Sequence, residues 1–263
     1  MATEEIRFDD GAAYERYMGV WSRAVGEQFL DWLAPAQGLR WLDVGCGNGA
    51  FTQMLAERCA PSVLEGIDPS AEQLAYARTR PALRTAKFQQ ADAMSLPFAP
   101  NTFDAAVMPL VIFFVPVPAK GVAEMTRVVR PGGTVSAYGW DLTGGGFPYE
   151  SLREEMTAMG FPVPMPPSPD AARLDILRDL WTNAGLADVQ TQELTVQRTF
   201  TDFDDYWTTI LGGPSVGASL KKMTADDRTR LQSKMRTRLT TDADGRITYK
   251  ARANAVKGKV ASK

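Results

Sequence analysis

The sequence predicts an α/β fold: a largely parallel sheet with helices on both faces. Three observations carry that expectation. Short apolar strands alternate with stretches of helical periodicity through the first 140 or so residues. A glycine cluster, Gly45, Gly47 and Gly49, stands between the first strand and the helix after it. Aspartates mark the ends of three successive strands, Asp43, Asp68 and Asp92. Strands and helices at this spacing form β-α-β units, whose crossovers lay helices over both sides of a sheet.

The elements follow in order. Residues 12–34 carry Val20, Val25, Phe29, Trp32 and Leu33 at helical spacing and stop at Pro35. LRWLDV (39–44) is a short apolar strand, followed by the glycines and a helix to about Cys59. SVLEGI (62–67) is the second strand, and Pro69-Ser70 opens a helix to about Thr79. A third strand fits 84–90 and a fourth 103–110. Residues 119–129 read as a helix stopped by Pro131-Gly132-Gly133, with a fifth strand at 134–139. Gly144-Gly145-Gly146 reads as a hinge, and the proline-rich stretch 147–169 as an extended connector. Beyond it come a helix over 170–184 closed by Gly185, a strand over 188–200, helices over 203–211 and 225–239, and a last strand over 246–256. The whole reads as one domain. Its core covers about 36–143, 186–200 and 246–257, with an N-terminal lid over about 1–35 and cap elements over about 144–185 and 201–240.

Composition removes several function classes. The 263 residues are 44% hydrophobic and 23% charged, with a net charge of -2, the balance of an ordinary globular chain. There is no histidine, which excludes Ser-His-Asp and Cys-His catalysis and histidine-ligated zinc. Two cysteines, Cys46 and Cys59, are too few for a disulfide framework or a four-cysteine metal site, so no metal is expected. Reduced thiols and the acidic, polar opening MATEEIRFDD point to a cytoplasmic setting without a secretory leader. The longest apolar run, 105–118, has 14 residues and three prolines, against the roughly 20 a membrane helix needs. No membrane association is expected. Residues 221–263 hold 13 basic against 4 acidic side chains. This reads as the solvated face of an amphipathic helix rather than a nucleic-acid site, since only Tyr249 there offers a ring for stacking on bases. No signal in the sequence fixes an oligomeric state.

The stretch WLDVGCGNGAF (41–51) carries the chemistry. Glycine is wanted where the chain turns sharply and a ligand must reach the backbone, and the helix start beyond offers free N–H groups to an anion. Gly45, Gly47 and Ala50, with Asp68 some 20 residues on, also satisfy the dinucleotide pattern, so two ligand classes compete. The acids separate them. Asp43, two residues before the first glycine, repels a pyrophosphate and attracts an ammonium. Asp68 suits a ribose diol. Asp92 accepts from an exocyclic amine while the N–H of Ala93 donates to a ring nitrogen. Ammonium, ribose and adenine are the pieces of S-adenosylmethionine.

LDVGCGNG, GIDPS, QADAMSLPF and EMTRVVRPGG together resemble the successive signatures of class I S-adenosylmethionine-dependent methyltransferases, over roughly residues 39–138, with closest likeness to the bacterial small-molecule group. YERYMGVWSR and GRITYKARANAVKG are similar with lower specificity. The resemblance implies a Rossmann-like, doubly wound seven-stranded sheet ordered 3-2-1-4-5-7-6, with strand 7 antiparallel and helical cap insertions. It implies that Gly45 and Gly47 line the methionine end, with Asp43 near the ammonium, Asp68 on the ribose, and Asp92 and Ala93 on the adenine. Met108, closing the fourth strand, joins this cofactor-side set. Cys46 matches a position where the family often has cysteine. MPLV (108–111) replaces the Asn-Pro-Pro-Tyr of enzymes that methylate adenine or glutamine nitrogens, which argues against those substrates. The expected acceptor is a small molecule. A dehydrogenase using NAD through the same loop, and a non-catalytic module acting through its basic tail, are the alternatives.

Methyl transfer from a sulfonium needs alignment and exclusion of water more than a covalent protein group. Candidate bases by position are Tyr138, Asp141, Tyr149, Glu150, Tyr14 and Tyr17, and none earns a catalytic assignment. Acceptor selection is expected from 147–169 and from 200–239, where Phe203, Tyr206, Trp207 and Met223 line a pocket or form the cap's core. The leading segment, with Tyr17, Met18, Trp21 and Arg23, is expected to close over the cofactor, with Arg23 toward its carboxylate.

Overall fold

A computed structural model describes residues 15–211, 216, 219, 220 and 222–262, without the side chains of residues 15 and 16. One seven-stranded sheet organises them: β1 (Arg40–Val44), β2 (Val63–Asp68), β3 (Lys87–Gln90), β4 (Phe103–Pro109), β5 (Val129–Trp140), β6 (Leu186–Phe200) and β7 (Ile247–Val260). Their order across the sheet is β3-β2-β1-β4-β5-β7-β6, and β7 runs antiparallel to both of its neighbours. The expected architecture is therefore the one observed. The order reverses between β1 and β4, and open α/β sheets bind ligands at the carboxyl ends of strands flanking such a point.

Burial explains the strands. Trp41, Leu42, Asp43 and Val44 of β1 are all enclosed, as a central parallel strand covered on both faces requires. Asp43 is the charged exception. On one face lies α1 (Val20–Leu33), whose buried Trp21, Val25, Phe29 and Leu33 recur every four residues. Phe29 packs its ring against Tyr138 of β5, 4.6 Å between centroids, and against Phe51 of α2 (Ala50–Cys59). Lys257 of β7 donates to the Trp32 carbonyl at 3.0 Å and lies over the Trp32 ring, setting a cation at the carboxyl end of α1. α3 (Ala71–Thr79) is capped by the Ser70 hydroxyl, which accepts from the Gln73 N–H. α4 (Pro118–Val128) buries Gly121, Val122, Met125 and Val128.

Several boundaries differ from the sequence expectation, each for a physical reason. The connector at 147–169 contains a helix, α5 (Glu150–Ala158), which lies between Pro148 and the proline run from Pro162 and buries Leu152 and Met156. Pro131-Gly132-Gly133 does not delay the fifth strand. β5 starts directly at Val129, and a register shift against β4, with Gly132 at φ 76°, absorbs these residues as a bulge. The third strand begins at Lys87, because residues 84–86 complete a turn after a 3₁₀ segment at Pro81–Leu83. The helix expected over 170–184 is a 3₁₀ turn, Pro169–Ala172, followed by α6 (Leu174–Asn183), whose Trp181 donates to the Val135 carbonyl. β6 takes in Leu186 and bulges near Asp188, and β7 continues to Val260.

The triple glycine is pinned rather than hinged. Asp141 pairs with Arg252 at 2.5 Å and accepts from the Gly144 N–H, while Gly146 and Arg252 exchange backbone hydrogen bonds with this corner. A Cβ at Gly144 would collide with the Asp141 carboxylate, and one at Gly146 with the Arg252 carbonyl. Close backbone approach is what these glycines provide.

β5 ends at Trp140, opposite Ala253, so residues 247–252 of β7 pair only with β6 and project past the carboxyl edge of the sheet. The cap gathers around this arm. It comprises α5, α7 (Phe203–Leu211) and α8 (Ala225–Arg238). The basic side chains of α8 meet acids of the other two helices: Lys234 and Arg238 pair with Glu155, Arg238 also with Glu154, and Arg236 with Asp204. Among the described residues, no helix is long and apolar enough to cross a membrane.

At the opposite edge of the sheet, Asp104 of β4 joins three strands. It accepts from the N–H and guanidinium of Arg40 and from the guanidinium of Arg130 at 2.6 Å. The Arg40 guanidinium is the main reason its carboxyl is held far below the ordinary range. A depressed folded pKa gives stability that is present above the unfolded value and lost as pH falls through the folded one. Asp104→Ala is expected to lower unfolding free energy by about 2 kcal/mol at pH 7, and the difference from wild type should shrink below about pH 3. Denaturant titrations at both pH values read this directly.

Candidate functional site

The loop between β1 and α2 is built from the end of β1 outward. Gly45 and Cys46 both donate to the Ile67 carbonyl of β2, which folds the chain back on itself, and Gly45 sits at φ 76°. A Cβ at Gly45 would stand 2.6 Å from the Val111 side chain, so this glycine permits packing. Gly47, at φ 52°, differs. Among the described residues nothing lies nearer to its virtual Cβ than the Gln73 Oε1 at 3.9 Å, so they leave open space beside its backbone. Arg80 braces the outside of the loop, donating to the Asn48 carbonyl at 2.6 Å and to Gln53 Oε1 at 3.0 Å.

Two of the three expected acids converge here. Asp68 closes β2, and its Oδ2 accepts from the Gly47 N–H at 2.9 Å while Oδ1 accepts from the Ser70 N–H at 2.9 Å. Each oxygen keeps a second lone pair. Burial raises its pKa, and the two backbone donors oppose that rise. Asp43 lies deeper than expected. Rather than lining an open crevice, it is fully enclosed beneath the loop. Its Oδ2 accepts from the Thr52 hydroxyl at 2.6 Å, while its Oδ1 has no hydrogen-bonding partner among the described residues. Burial pushes the carboxyl up to about 7; the Thr52 hydrogen bond works against this, and the charge of Asp68 adds to it.

The other expected residues sit apart from this pair. Asp92 is exposed just past β3, its Oδ1 accepting from the Met94 N–H in a tight turn. That turn is tied to the site through the Ala91 N–H, which donates to the Asp68 carbonyl. Ala93 is half-buried beside Gly121 of α4. Met108 is fully buried at the end of β4, its methyl against Gly121, so only its backbone is left to face a ligand.

The candidate bases among the described residues are engaged in packing or pairing. The Tyr138 ring is packed between Phe29 and Phe51. Asp141 is held by Arg252, and Glu150 pairs through Oε1 with Arg153. Tyr149 accepts from the Trp21 indole at 3.0 Å and donates to the Tyr17 carbonyl at 2.8 Å. Burial pushes its phenol up to about 12, out of range for a base at neutral pH. Tyr17 stacks on Tyr149 at 4.5 Å. Tyr14 lies outside the described residues, as does the lid before Glu15. Arg23 does not reach toward the loop: it is exposed and paired with Glu27 of the same helix. Phe203, Tyr206 and Met223 are buried as cap core, and Trp207 stacks on Phe203. Thr52 and Arg80 escaped sequence reasoning. A buried β-branched hydroxyl one turn into a helix, nine residues after Asp43, is the signal that marks Thr52 in retrospect.

Two stability outcomes follow. Gly45→Ala drives a methyl into Val111 at a positive φ and should cost at least 1–2 kcal/mol of unfolding free energy in denaturant titration. Asp43 has a folded pKa above its unfolded one, so the free protein keeps full stability below about pH 4 and loses it as pH rises through about 7. Asp43→Asn removes that loss. Relative to wild type, its unfolding free energy should climb by a few kcal/mol between pH 5 and pH 8. A pH-independent difference would show that Asp43 is not the buried titrating group.

Comparison with known proteins agrees with this geometry. A family model described as a methyltransferase domain matches residues 42–137. A fatty-acid O-methyltransferase of Mycolicibacterium smegmatis is 34% identical over 100 residues, 38% of this chain and 36% of that protein. A ubiquinone/menaquinone biosynthesis C-methyltransferase of Roseobacter denitrificans is 35% identical over 111 residues, 41% and 44% of the two chains. The matched stretches span less than half the length of these curated relatives. Among solved structures, phosphoethanolamine N-methyltransferase 2 of Haemonchus contortus superposes with a TM-score of 0.61 at 20% identity, over 97% of this chain and 58% of that one. The [4+2]-cyclase SpnF superposes at 0.53 with 20% identity, over 100% and 88%. Likeness at that identity speaks for the fold, and the cyclase shows one fold hosting another chemistry. Residues 42–137 therefore match a methyltransferase domain, a match that spans less than half of the chain, and the described fold is the one these solved structures share.

Proposed function

We propose that the protein transfers a methyl group from S-adenosylmethionine to a small-molecule acceptor, working by alignment and exclusion of water. The observation that carries this reading is the buried Asp43 Oδ1, unpartnered under a glycine loop whose Gly47 faces open space. An enclosed carboxylate oxygen left without a partner is costly unless something satisfies it. An α-ammonium does so with charge and hydrogen bonds together. A diphosphate would meet two acids, Asp43 and Asp68, where it needs donors. The residues present therefore fit the adenosyl donor better than a dinucleotide.

In this reading Asp43 takes the ammonium, Gly45 and Gly47 let the methionine moiety lie against backbone, and Asp68 holds the ribose diol with its free lone pairs. Asp92 and Ala93 meet the adenine, and Met108 contributes backbone at the end of β4. The bound donor supplies an electrophilic methyl on a sulfonium. The protein's part is to hold the acceptor in line and dry, a contribution of ~7–11 kcal/mol in well-aligned reactions. No described residue is assigned as a base. In this reading the acceptor approaches from the side of the cap carried by the projecting β6–β7 arm. The curated relatives named for fatty-acid and quinone substrates support an apolar acceptor. We also read the chain as one domain, with core 36–143, 186–200 and 246–257 and cap 144–185 and 201–240, working in the cytoplasm.

Calorimetry with S-adenosylmethionine and S-adenosylhomocysteine tests the reading. Micromolar binding is expected, weakened at least tenfold in Asp68→Ala, which removes two charge-assisted contacts to the ribose. Gly47→Ala should weaken binding comparably by filling the open approach. Binding of NAD in place of the adenosyl ligands would overturn the reading.

A further inference from the structure

The described molecule holds one pair of buried polar side chains in direct contact at the loop. Thr52 and Asp43 are both fully enclosed, 2.6 Å apart, and come from different elements, α2 and β1. We infer that Thr52 is a positioning residue for the donor's ammonium: by holding Asp43 Oδ2, it turns Oδ1 toward the ligand and keeps the carboxylate charged. This rests on the methyl-donor reading above.

The argument is geometric first. A carboxylate rotates about its Cβ–Cγ bond, and only a second fixed contact decides which oxygen faces which way. Thr52 supplies that contact from a side chain whose β-branch restricts it to few rotamers. Nothing else described does so, since Oδ1 has no partner. Charge is the second part. Asp43 faces Asp68 from β2 and the Cys46 thiol from the loop, and neither group offers it a positive charge. Among the described residues, the Thr52 hydroxyl is the contact that favours its ionised form. Removing that hydroxyl moves Asp43 toward the protonated state, which an ammonium does not attract.

The test compares S-adenosylhomocysteine with 5′-methylthioadenosine, a nucleoside thioether lacking the amino acid, by calorimetry between pH 6 and pH 8. Thr52→Val is expected to weaken S-adenosylhomocysteine roughly tenfold at pH 7 and leave methylthioadenosine unchanged. The wild-type advantage should narrow toward pH 8, because ionisation of Asp43 is then recovered in the variant while the ligand's own amine titrates identically against both proteins. Thr52→Ser should bind within about threefold of wild type, since it keeps the hydroxyl. In an Asp43→Asn background, Thr52→Val should have no further effect. Equal weakening of both ligands would reduce Thr52 to a structural role and overturn the inference, as would no weakening of either. If Thr52→Val does not fold, a Thr52→Ser protein that loses S-adenosylhomocysteine selectively overturns it as well. Wild type binding neither nucleoside would bring down the methyl-donor reading itself, and this inference with it.

Discussion

Enclosing a carboxylate at the end of the central strand is the constraint to which the rest of the site answers. Asp43 sits where β1 is covered on both faces, so the chain must turn immediately afterwards and something must hold the charge in place. The turn is made by Gly45 against Val111, and the hold by Thr52 from the first helix after it. The same loop places the Gly47 N–H on Asp68, which adds to the Gly45 and Cys46 hydrogen bonds to the Ile67 carbonyl in fixing the ends of β1 and β2 relative to one another. An unliganded protein loses stability to this arrangement as pH rises from about 4 to about 7, the usual relation between a poised binding group and the fold that carries it.

The cap answers a different demand. A sheet whose outer hairpin outruns its neighbour leaves an arm of β6 and β7 without a third strand beyond Trp140, and apolar side chains on that arm need covering. Tyr206 against Phe200, and Trp21 against both Tyr149 and Tyr249, provide it. α1 thereby joins the sheet core at Phe29 to the cap at Trp21. Part of the segment read as a lid is in this way structural, because its buried face is continuous with the sheet from Trp21 to Leu33. The basic side chains of the last helix serve the same assembly through Glu154, Glu155 and Asp204.

Much of this was legible in the residues. Alternating strands and helices, the glycine loop and Asp68 at the close of β2 depend on local chemistry: periodicity, a positive φ, a short acidic side chain after a strand. α5 was hidden because the prolines beside it dominated the composition of the segment. The β5 bulge was hidden because Pro-Gly-Gly has the same local signature whether a strand stops or merely buckles. The triple glycine suggested freedom, yet its neighbours Asp141 and Arg252, 111 residues apart, make it a tight wrap.

The sequence by itself determined the order of the strands, the loop that turns after β1 and the likeness of residues 42–137 to a methyltransferase domain. Only the tertiary structure decided which oxygen of Asp43 is held and which is left over, that Asp92 is a surface turn while Asp43 is enclosed, and that Tyr149, Asp141 and Glu150 are already engaged. Those outcomes turn on contacts between residues distant along the chain, and on the loss of solvent around them, neither of which local patterning encodes.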